Sequence, residues 1–255
     1  MRSLAKVLCV FTMGCFPLMG CNPLDVEKSL LVQVKTHLDP LCDPPCDTTT
    51  LEGVEVCEAG TSNCVLTDAR GRARFTPPPD QEVSYTMQKE GYEAKLFADV
   101  SDWRSEVVWL INLRDNKRAA PWHGNLMSDY PLRSVGAVRI LLDREQLEGV
   151  TFELVDATGT AFYDVEPPAD FPKIADLDLE ATTSAGSGGF LDLSPGVFQI
   201  KLGGTADHCR PGTAWPGDEE NTVRFPIREG HLTVLWVDCP VPQLPTNTSA
   251  EDVGR

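Results

Sequence analysis

The sequence predicts an all-β protein that folds as two tandem β-sandwiches behind a cleaved N-terminal segment. Three observations support this prediction. Short segments of alternating apolar and polar residues recur between clusters of Gly, Pro and Asp. No stretch shows a convincing helical period. The same turn pattern occurs once in each half of the chain.

The first predicted sandwich covers residues 29–113. Its first strand lies within Ser29 to Asp39, where Val32 and Val34 alternate with polar residues, so one face should be buried. The segments 53–59 and 64–69 then predict a hairpin, and further short strands follow to the end of this unit.

The segment 114–133 separates this unit from a second series of short strands. Its alternation stops, and Pro, Gly, Asn and charged residues collect there, which predicts an interdomain linker. The second sandwich is predicted over 134–240. The polar, Pro-containing tail, residues 241–255, is predicted to be disordered.

A turn pattern relates the two halves. Each contains a threonine, a glycine four residues later and a phenylalanine four residues after that, namely Thr67, Gly71 and Phe75, and Thr182, Gly186 and Phe190. The glycine should take a positive φ in a hairpin turn, and the phenylalanine should enter the core on the returning strand. The repeat predicts two related domains, the second with a longer insertion between Asp156 and Ala181.

The first twenty residues have the features of an export signal. A basic start with Arg2 and Lys6 precedes a short apolar run, too short for a membrane span. The segment 18–21, Leu-Met-Gly-Cys, is similar to the lipobox of bacterial lipoproteins, in which the cysteine is acylated. We therefore predict a signal peptide over 1–20, a lipid such as palmitate on Cys21, and a tether over 21–28. The alternative is a plain secretory signal cut near Gly20.

The charge of the chain bears on its partners. Without residues 1–20 it has 20 basic and 38 acidic residues, a formal charge of −18. Such a chain repels nucleic acid and anionic headgroups, so we expect no nucleic-acid partner, and membrane contact only through the lipid anchor.

The cysteine count is consistent with export. Cys9 and Cys15 lie in the signal and Cys21 is assigned to lipid, which leaves an even number of cysteines: Cys42, Cys46, Cys57, Cys64, Cys209 and Cys239. Strand positions favour a Cys57–Cys64 disulfide and leave Cys42 with Cys46, although four cysteines allow three connectivities. The second unit offers only Cys209 with Cys239.

The first unit resembles the carboxypeptidase regulatory-like domain. The resemblance covers residues 29–113 and lies in Gly53-Val54, the turn Thr67-Asp68-x-x-Gly71, Phe75 and Gly91-Tyr92. It implies a transthyretin-like or Ig-like Greek-key β-sandwich, and a non-catalytic accessory role. The second unit matches less well, because Thr183 stands where the aspartate would be. The layout of the whole chain is similar to that of myxobacterial surface lipoproteins.

No residue set indicates catalysis or a cofactor. The histidines, His37, His123, His208 and His231, are not at metal-ligand spacing, and we expect them at the surface. Asp39, Asp43 and Asp47 share one loop with Cys42 and Cys46 and could hold calcium. The loop lacks the glycine and terminal glutamate of an EF-hand, so a solvated, disulfide-pinned loop is the preferred interpretation.

Another alternative concerns Lys35 and Asn112, which are similar to the lysine and asparagine of the isopeptide bond in Gram-positive adhesin repeats. Lys35, however, should share a face with Gln33 rather than with the buried Val32 and Val34, which predicts a surface lysine.

The tryptophans are the remaining candidates for a binding site. Trp103, Trp122 and Trp215 fall in predicted loops, where exposed aromatics can stack sugars or anchor partners, or can cover the end of a core. Trp109 and Trp236 lie in apolar strands and are predicted to be buried.

These observations predict a non-catalytic cell-envelope lipoprotein, at the outer membrane or cell surface, with a protein or glycan partner. The alternative is an accessory protein that assists a separate secreted hydrolase.

Overall fold

The computed structural model describes residues 29–37, 47–101, 106–143, 148–165, 174–206 and 209–239 of the 255-residue chain. Within these ranges the chain forms eighteen strands and one short helix, which confirms the all-β prediction. No helix in this part of the chain is long and apolar enough to cross a membrane.

Unit one is built from eight strands in two sheets. They are β1 (Leu30–His37), β2 (Thr48–Thr50), β3 (Glu55–Glu58), β4 (Cys64–Leu66), β5 (Arg72–Phe75), β6 (Glu82–Gln88), β7 (Lys95–Val100) and β8 (Val107–Asn112). In the first sheet β1 pairs antiparallel with β2 and β5, and parallel with β8. The second sheet has the order β4-β3-β6-β7. Val32 and Val34 of β1 are fully buried, whereas Lys35 lies on the opposite face, in register with Asn112, as the alternation predicts.

Unit two is built from ten strands in the same manner. They are β9 (Gly136–Asp143), β10 (Val150–Leu154), β11 (Thr160–Val165), β12 (Ile174–Asp176), β13 (Ser187–Leu193), β14 (Gly196–Gly204), β15 (Arg210–Thr213), β16 (Trp215–Pro216), β17 (Thr222–Ile227) and β18 (Leu232–Asp238). One sheet has the order β10-β14-β17-β16, and the other includes β12-β11-β13-β9-β18.

The pairing patterns show that the two units are related. In unit one the first strand, β1, pairs antiparallel with β5 and parallel with the last strand, β8. In unit two the first strand, β9, pairs antiparallel with β13 and parallel with the last strand, β18. The β3-β6-β7 order of unit one likewise corresponds to β10-β14-β17.

The threonine of the repeated turn has the same contacts in both units. The Thr67 hydroxyl accepts from the Val54 N–H at 2.9 Å, and the Thr182 hydroxyl accepts from the Val150 N–H at 2.9 Å. Both threonines are buried. Each hydroxyl therefore satisfies a backbone donor at the start of a strand, which explains why this position repeats.

The glycine of the repeated turn adopts the predicted conformation. Gly71 has a φ of 70° and Gly186 a φ of 60°. In unit one the Asp68 carboxylate accepts from the N–H of Arg70, two residues on, at 2.8 Å. In unit two the hydroxyl of Thr183 accepts from the Ala185 N–H at 3.2 Å, so threonine performs the same local role as aspartate. Phe75 and Phe190 are both buried, as predicted.

The predicted linker contains a helix, α1 (Asn116–Asn125), contrary to the prediction of an irregular segment. The Asp115 side chain caps it by accepting from the Arg118 N–H at 3.0 Å. Its buried residues, Ala119, Trp122 and His123, are followed by buried Leu126, at the i, i+3, i+4 and i+7 spacing of a helix. This helical spacing is hard to recognise in the sequence, because one of its buried positions is a histidine and because Pro121 and Gly124 are typical of loops.

The two units share one sheet. The start of β18 pairs in parallel with β7, Leu232 opposite Lys95 and Thr233 opposite Leu96, so that a ten-stranded sheet runs through both units. The Leu232 N–H also donates to the Ala94 carbonyl at 2.9 Å. A sandwich edge that would otherwise be open is thereby closed between the units.

The hydrophobic core follows this connection. The cluster that fills unit one continues through Trp122 and Leu126 to Phe162, Leu191 and Val234 of the unit two sheet. A second cluster lies within unit two. The shared sheet is therefore covered on both faces, which explains why four consecutive residues at the start of β18, 232–235, are buried.

Candidate functional site at the domain junction

The junction contains a buried network of charged side chains. Glu93 lies just before β7 and Arg114 just after β8. The Arg114 guanidinium donates to both carboxylate oxygens of Glu93, from Nε at 2.9 Å and from Nη2 at 3.0 Å. Glu93 is buried, so this bidentate pair supplies the charge compensation that a buried carboxylate requires.

His123 of α1 extends the network. Its Nε2 donates to Glu93 Oε1 at 3.0 Å, since an ionised carboxylate can only accept, and its Nδ1 lies 2.9 Å from the Ser128 hydroxyl. The ring is fully buried and stacks on Tyr130 with 4.9 Å between ring centres. Ser128 also ends the helix, because its N–H donates to the His123 carbonyl at 3.1 Å. The prediction of a surface histidine is wrong here, and also for His231, which is buried.

The electrostatics of this group keep Glu93 ionised and weaken the protonation of Lys95. Burial alone would raise the pKa of Glu93, but the charge of Arg114 and the hydrogen bond from His123 outweigh it and lower this pKa to about 2. Burial and the charge of Arg114 lower the pKa of Lys95 to about 7, and its Nζ donates to the Asn112 carbonyl at 2.6 Å.

Trp122 joins the two units through this network. Two guanidinium carbons lie over its ring, that of Arg114 at 4.5 Å from the ring centre and that of Arg139 at 5.6 Å. Phe162 packs edge-on against it at 5.3 Å. Arg114 follows the last strand of unit one, whereas Arg139 and Phe162 belong to unit two. One aromatic ring from the predicted linker therefore contacts cations of both units.

Asp164 completes the network on the side of unit two. Arg139 donates to its Oδ2 from Nη2 at 2.6 Å, and the Ser187 hydroxyl donates to the same oxygen. Burial would raise the pKa of Asp164, but Arg139 and these hydrogen bonds lower it. The Trp122 N–H and Asp164 Oδ1 have no partner at full hydrogen-bond geometry in the described part of the chain. The indole N–H nevertheless contributes to lowering the Asp164 pKa, so the two groups compensate each other electrostatically.

A second set of polar contacts links the units near Trp215. Its Nε1 donates to the Val83 carbonyl at 3.1 Å, and Arg224 forms an ion pair with Glu82. Trp215 is half-buried in β16 and Trp122 is buried in α1, so neither lies in a loop as predicted. Trp122 packs into the core, which agrees with the interpretation that these residues cover a core. Trp103 lies outside the described residues. Trp109 is buried as predicted, whereas Trp236 is 41% exposed, contrary to the prediction.

Two predicted disulfides are present. Cys57–Cys64 bridges directly opposed positions of β3 and β4, and Cys209–Cys239 fastens the start of β15 to the end of β18. Cys21, Cys42 and Cys46 lie outside the described residues. Each of the two disulfides lies within a single unit, Cys57–Cys64 in unit one and Cys209–Cys239 in unit two, as the even cysteine count of each half predicts.

The described residues bring together one group of potential metal ligands, Glu55 with Cys57 and Cys64. Both sulfurs are consumed by a disulfide, so they cannot act as thiolate ligands. The suggested calcium loop falls mostly outside the described residues, with only its last carboxylate, Asp47, exposed before β2.

The junction network had no recognisable sequence signal. Its partners are far apart in the chain, 21 residues for Glu93 and Arg114, 30 for Glu93 and His123, and 25 for Arg139 and Asp164. Their charged side chains look like ordinary surface residues in a chain of this composition. The helical spacing of Ala119, Trp122, His123 and Leu126 is the one local signal that indicates the burial of Trp122 and His123.

The chain has structural likenesses among solved proteins. The TIE protein of Bacillus anthracis is 14% identical, with a TM-score of 0.27, and the likeness covers 83% of this chain and 34% of that one. GBS52, the minor pilin of Streptococcus agalactiae, is 16% identical, with a TM-score of 0.25 and coverage of 86% and 99%. The shaft pilin SpaA of Lactobacillus rhamnosus GG is 11% identical, with a TM-score of 0.28 and coverage of 84% and 98%.

This chain spans about a third of the TIE protein. No protein-family model matches it, and no curated protein does. At these TM-scores the likenesses carry no argument about function, and the function is inferred below from the geometry of the junction.

Proposed function

We propose that this chain is a non-catalytic module of the cell envelope that presents two sandwiches as one rigid body for a structural or binding role. The observation that carries the proposal is the pairing of β7 with β18, which makes one sheet of both units. The ring of Trp122 supports it, because this ring contacts Arg114 of unit one as well as Arg139 and Phe162 of unit two.

In this proposal a lipid on Cys21 holds the body at the outer membrane or cell surface, with residues 21–28 as the tether. The support is the lipobox-like segment 18–21 and the cysteine count. With two disulfides formed, only Cys42 and Cys46 remain unassigned outside the signal and Cys21. The acidic charge also leaves the lipid as the principal means of membrane contact.

We also propose that unit one is a carboxypeptidase regulatory-like domain in an accessory role, with a protein or glycan partner. The turn geometry at Thr67, Asp68 and Gly71 supports this assignment. The two junction carboxylates, Glu93 and Asp164, are ion-paired with arginines and stay ionised near neutral pH.

The anchor is tested by Cys21→Ser, with Cys15→Ser as the matched control inside the signal. We expect Cys21→Ser to abolish palmitate labelling and to release the chain from the membrane fraction, while Cys15→Ser leaves both unchanged. An unchanged membrane fraction for Cys21→Ser would reject the anchor.

The rigid body is tested by calorimetry of the purified chain. We expect one thermal transition, with equal calorimetric and van't Hoff enthalpies, because the shared sheet couples the units. Two separated transitions would reject the rigid-body part of the proposal.

A further inference from the structure

In the described part of the chain, the outer edge of β8 is not paired with another strand at Val108 and Leu110. Val107 donates its N–H to the Ser29 carbonyl at 3.0 Å, and Leu113 donates to the Lys35 carbonyl at 2.9 Å. Since backbone groups alternate in direction along a strand, Val108 and Leu110 turn their N–H and C=O groups away from β1. Among the described strands, none pairs with that side of β8.

An apolar groove runs along this edge. It has a volume of about 190 Å³ and is lined by uncharged residues, among them Phe97, Val108, Leu110, Thr213 and Trp236. Val108 is 47% exposed, Leu110 53% and Trp236 41%, although all three are large apolar side chains. Exposed apolar side chains beside unpaired backbone groups are the two features that a peptide adding a strand requires.

In unit two, other strands cover the corresponding edge. The equivalent strand there is β18, and its corresponding edge is covered by β7 at the start and by β15 at the end. β15 belongs to the long connection between β14 and β17, whereas the equivalent connection of unit one, between β6 and β7, spans only 89–94. The described residues of unit one therefore include no counterpart of β15.

We propose that the β8 edge binds an extended segment of a partner protein, with alternating apolar side chains and basic flanks, as an added strand. The backbone edge selects an extended peptide, and the groove selects apolar side chains on one of its faces. The formal charge of −16 repels acidic segments and a second copy of this chain, and it attracts basic flanks. This inference rests on the proposed binding role and names the class of partner.

The test uses the purified full chain and a labelled peptide of about nine residues, with lysines at both ends and alternating valine and threonine between them. We expect fluorescence anisotropy to report saturable binding, weakened about tenfold or more by Leu110→Lys. Val197→Lys is the matched control, because Val197 is also an exposed apolar strand residue, 60% exposed, in β14. A peptide with N-methyl groups on one edge, and a peptide with glutamate flanks, should both bind more weakly.

Any of three outcomes would overturn the inference. They are no binding up to about 1 mM peptide, an equal loss of peptide affinity in Leu110→Lys and Val197→Lys, and undiminished binding of the N-methylated peptide. Dimerisation of the wild-type chain in sedimentation that Leu110→Lys abolishes would make a second copy the occupant instead. If peptide binding fails while Cys21-dependent membrane attachment and the single thermal transition persist, this inference falls and the rigid anchored module stands.

Discussion

The guanidinium carbon of Arg114 lies 4.5 Å from the centre of the Trp122 ring. Arg114 is at the same time paired with Glu93, and Trp122 packs against Phe162 of the second sandwich. Through these two contacts, the Trp122 side chain connects a charge at the end of unit one to the apolar surface of unit two. The segment between the units therefore packs against both of them.

We expect Trp122→Ala to lower the free energy of unfolding by about 3–5 kcal/mol, the usual cost of removing a buried aromatic side chain. It should also weaken the coupling between the units, so that the single thermal transition broadens or splits. Urea unfolding and calorimetry measure both effects. Trp236→Ala is the control: its ring is 41% exposed, so a loss as large as that of Trp122→Ala would contradict this account.

The stability of the chain should fall with acid because of Glu93. Its pKa is about 2 in the folded protein, below the ordinary value of 4.5, so its contribution is complete above about pH 4.5 and is lost as the pH falls towards 2. Glu93→Gln should be less stable at pH 7 and should show a shallower loss between pH 5 and 2. Urea unfolding at each pH provides the measurement. Parallel curves of unfolding free energy against pH for Glu93→Gln and wild type would exclude this role.

Gly71→Ala tests the repeated turn. A Cβ there would lie 2.3 Å from the Val34 carbonyl oxygen, in a residue whose φ is 70°. Gly60 has a similar φ of 80° but nothing within 4 Å of its added Cβ. Gly60→Ala should cost about 1–2 kcal/mol from the left-handed backbone alone, and Gly71→Ala about 1–3 kcal/mol more from the steric clash. Equal losses of unfolding free energy for Gly71→Ala and Gly60→Ala, measured by urea unfolding, would show that the short distance to the Val34 carbonyl has no energetic effect.

The two disulfides should differ in their contribution to stability. Cys209–Cys239 closes a loop with a sequence separation of 30, and Cys57–Cys64 one of 7. The loop entropy predicts a loss of about 3.5 kcal/mol on removing the first pair and about 2.5 kcal/mol on removing the second. Double substitution to alanine for the buried pair and to serine for the other, followed by urea unfolding, gives the comparison. A larger loss of unfolding free energy on removing Cys57–Cys64 than on removing Cys209–Cys239 would contradict the order that loop entropy predicts.

The strands and the turns could be predicted because their causes are local. Val32 and Val34 alternate with polar residues, and this alone places them in the core. Gly71 and Gly186 occupy positions where positive φ is needed, and the surrounding threonine and phenylalanine reveal the turn. The bridge between Cys57 and Cys64 follows from the short turn that separates their strands.

The helix α1 could not be recognised by the same means. Pro121 and Gly124 are breakers by intrinsic preference, and Trp122 and His123 look like loop residues beside them. Packing against the sheet of unit two and the cap at Asp115 outweigh these preferences. A short helix whose stability comes from tertiary contacts leaves little trace in local composition.

The amino-acid sequence by itself determined the strand pattern, the repeated turn and two cysteine pairs, because each depends on residues a few positions apart or on counting. Only the tertiary structure decided that Trp122 and Trp215 lie between the sandwiches, that Glu93 pairs with Arg114, and that β7 joins β18 while no described strand pairs with the outer edge of β8. Glu93 and Arg114 are 21 positions apart in the chain, and Trp215 and Val83 are 132 apart. The energies of these contacts depend on burial and on the matching of charges in space, which no local pattern encodes.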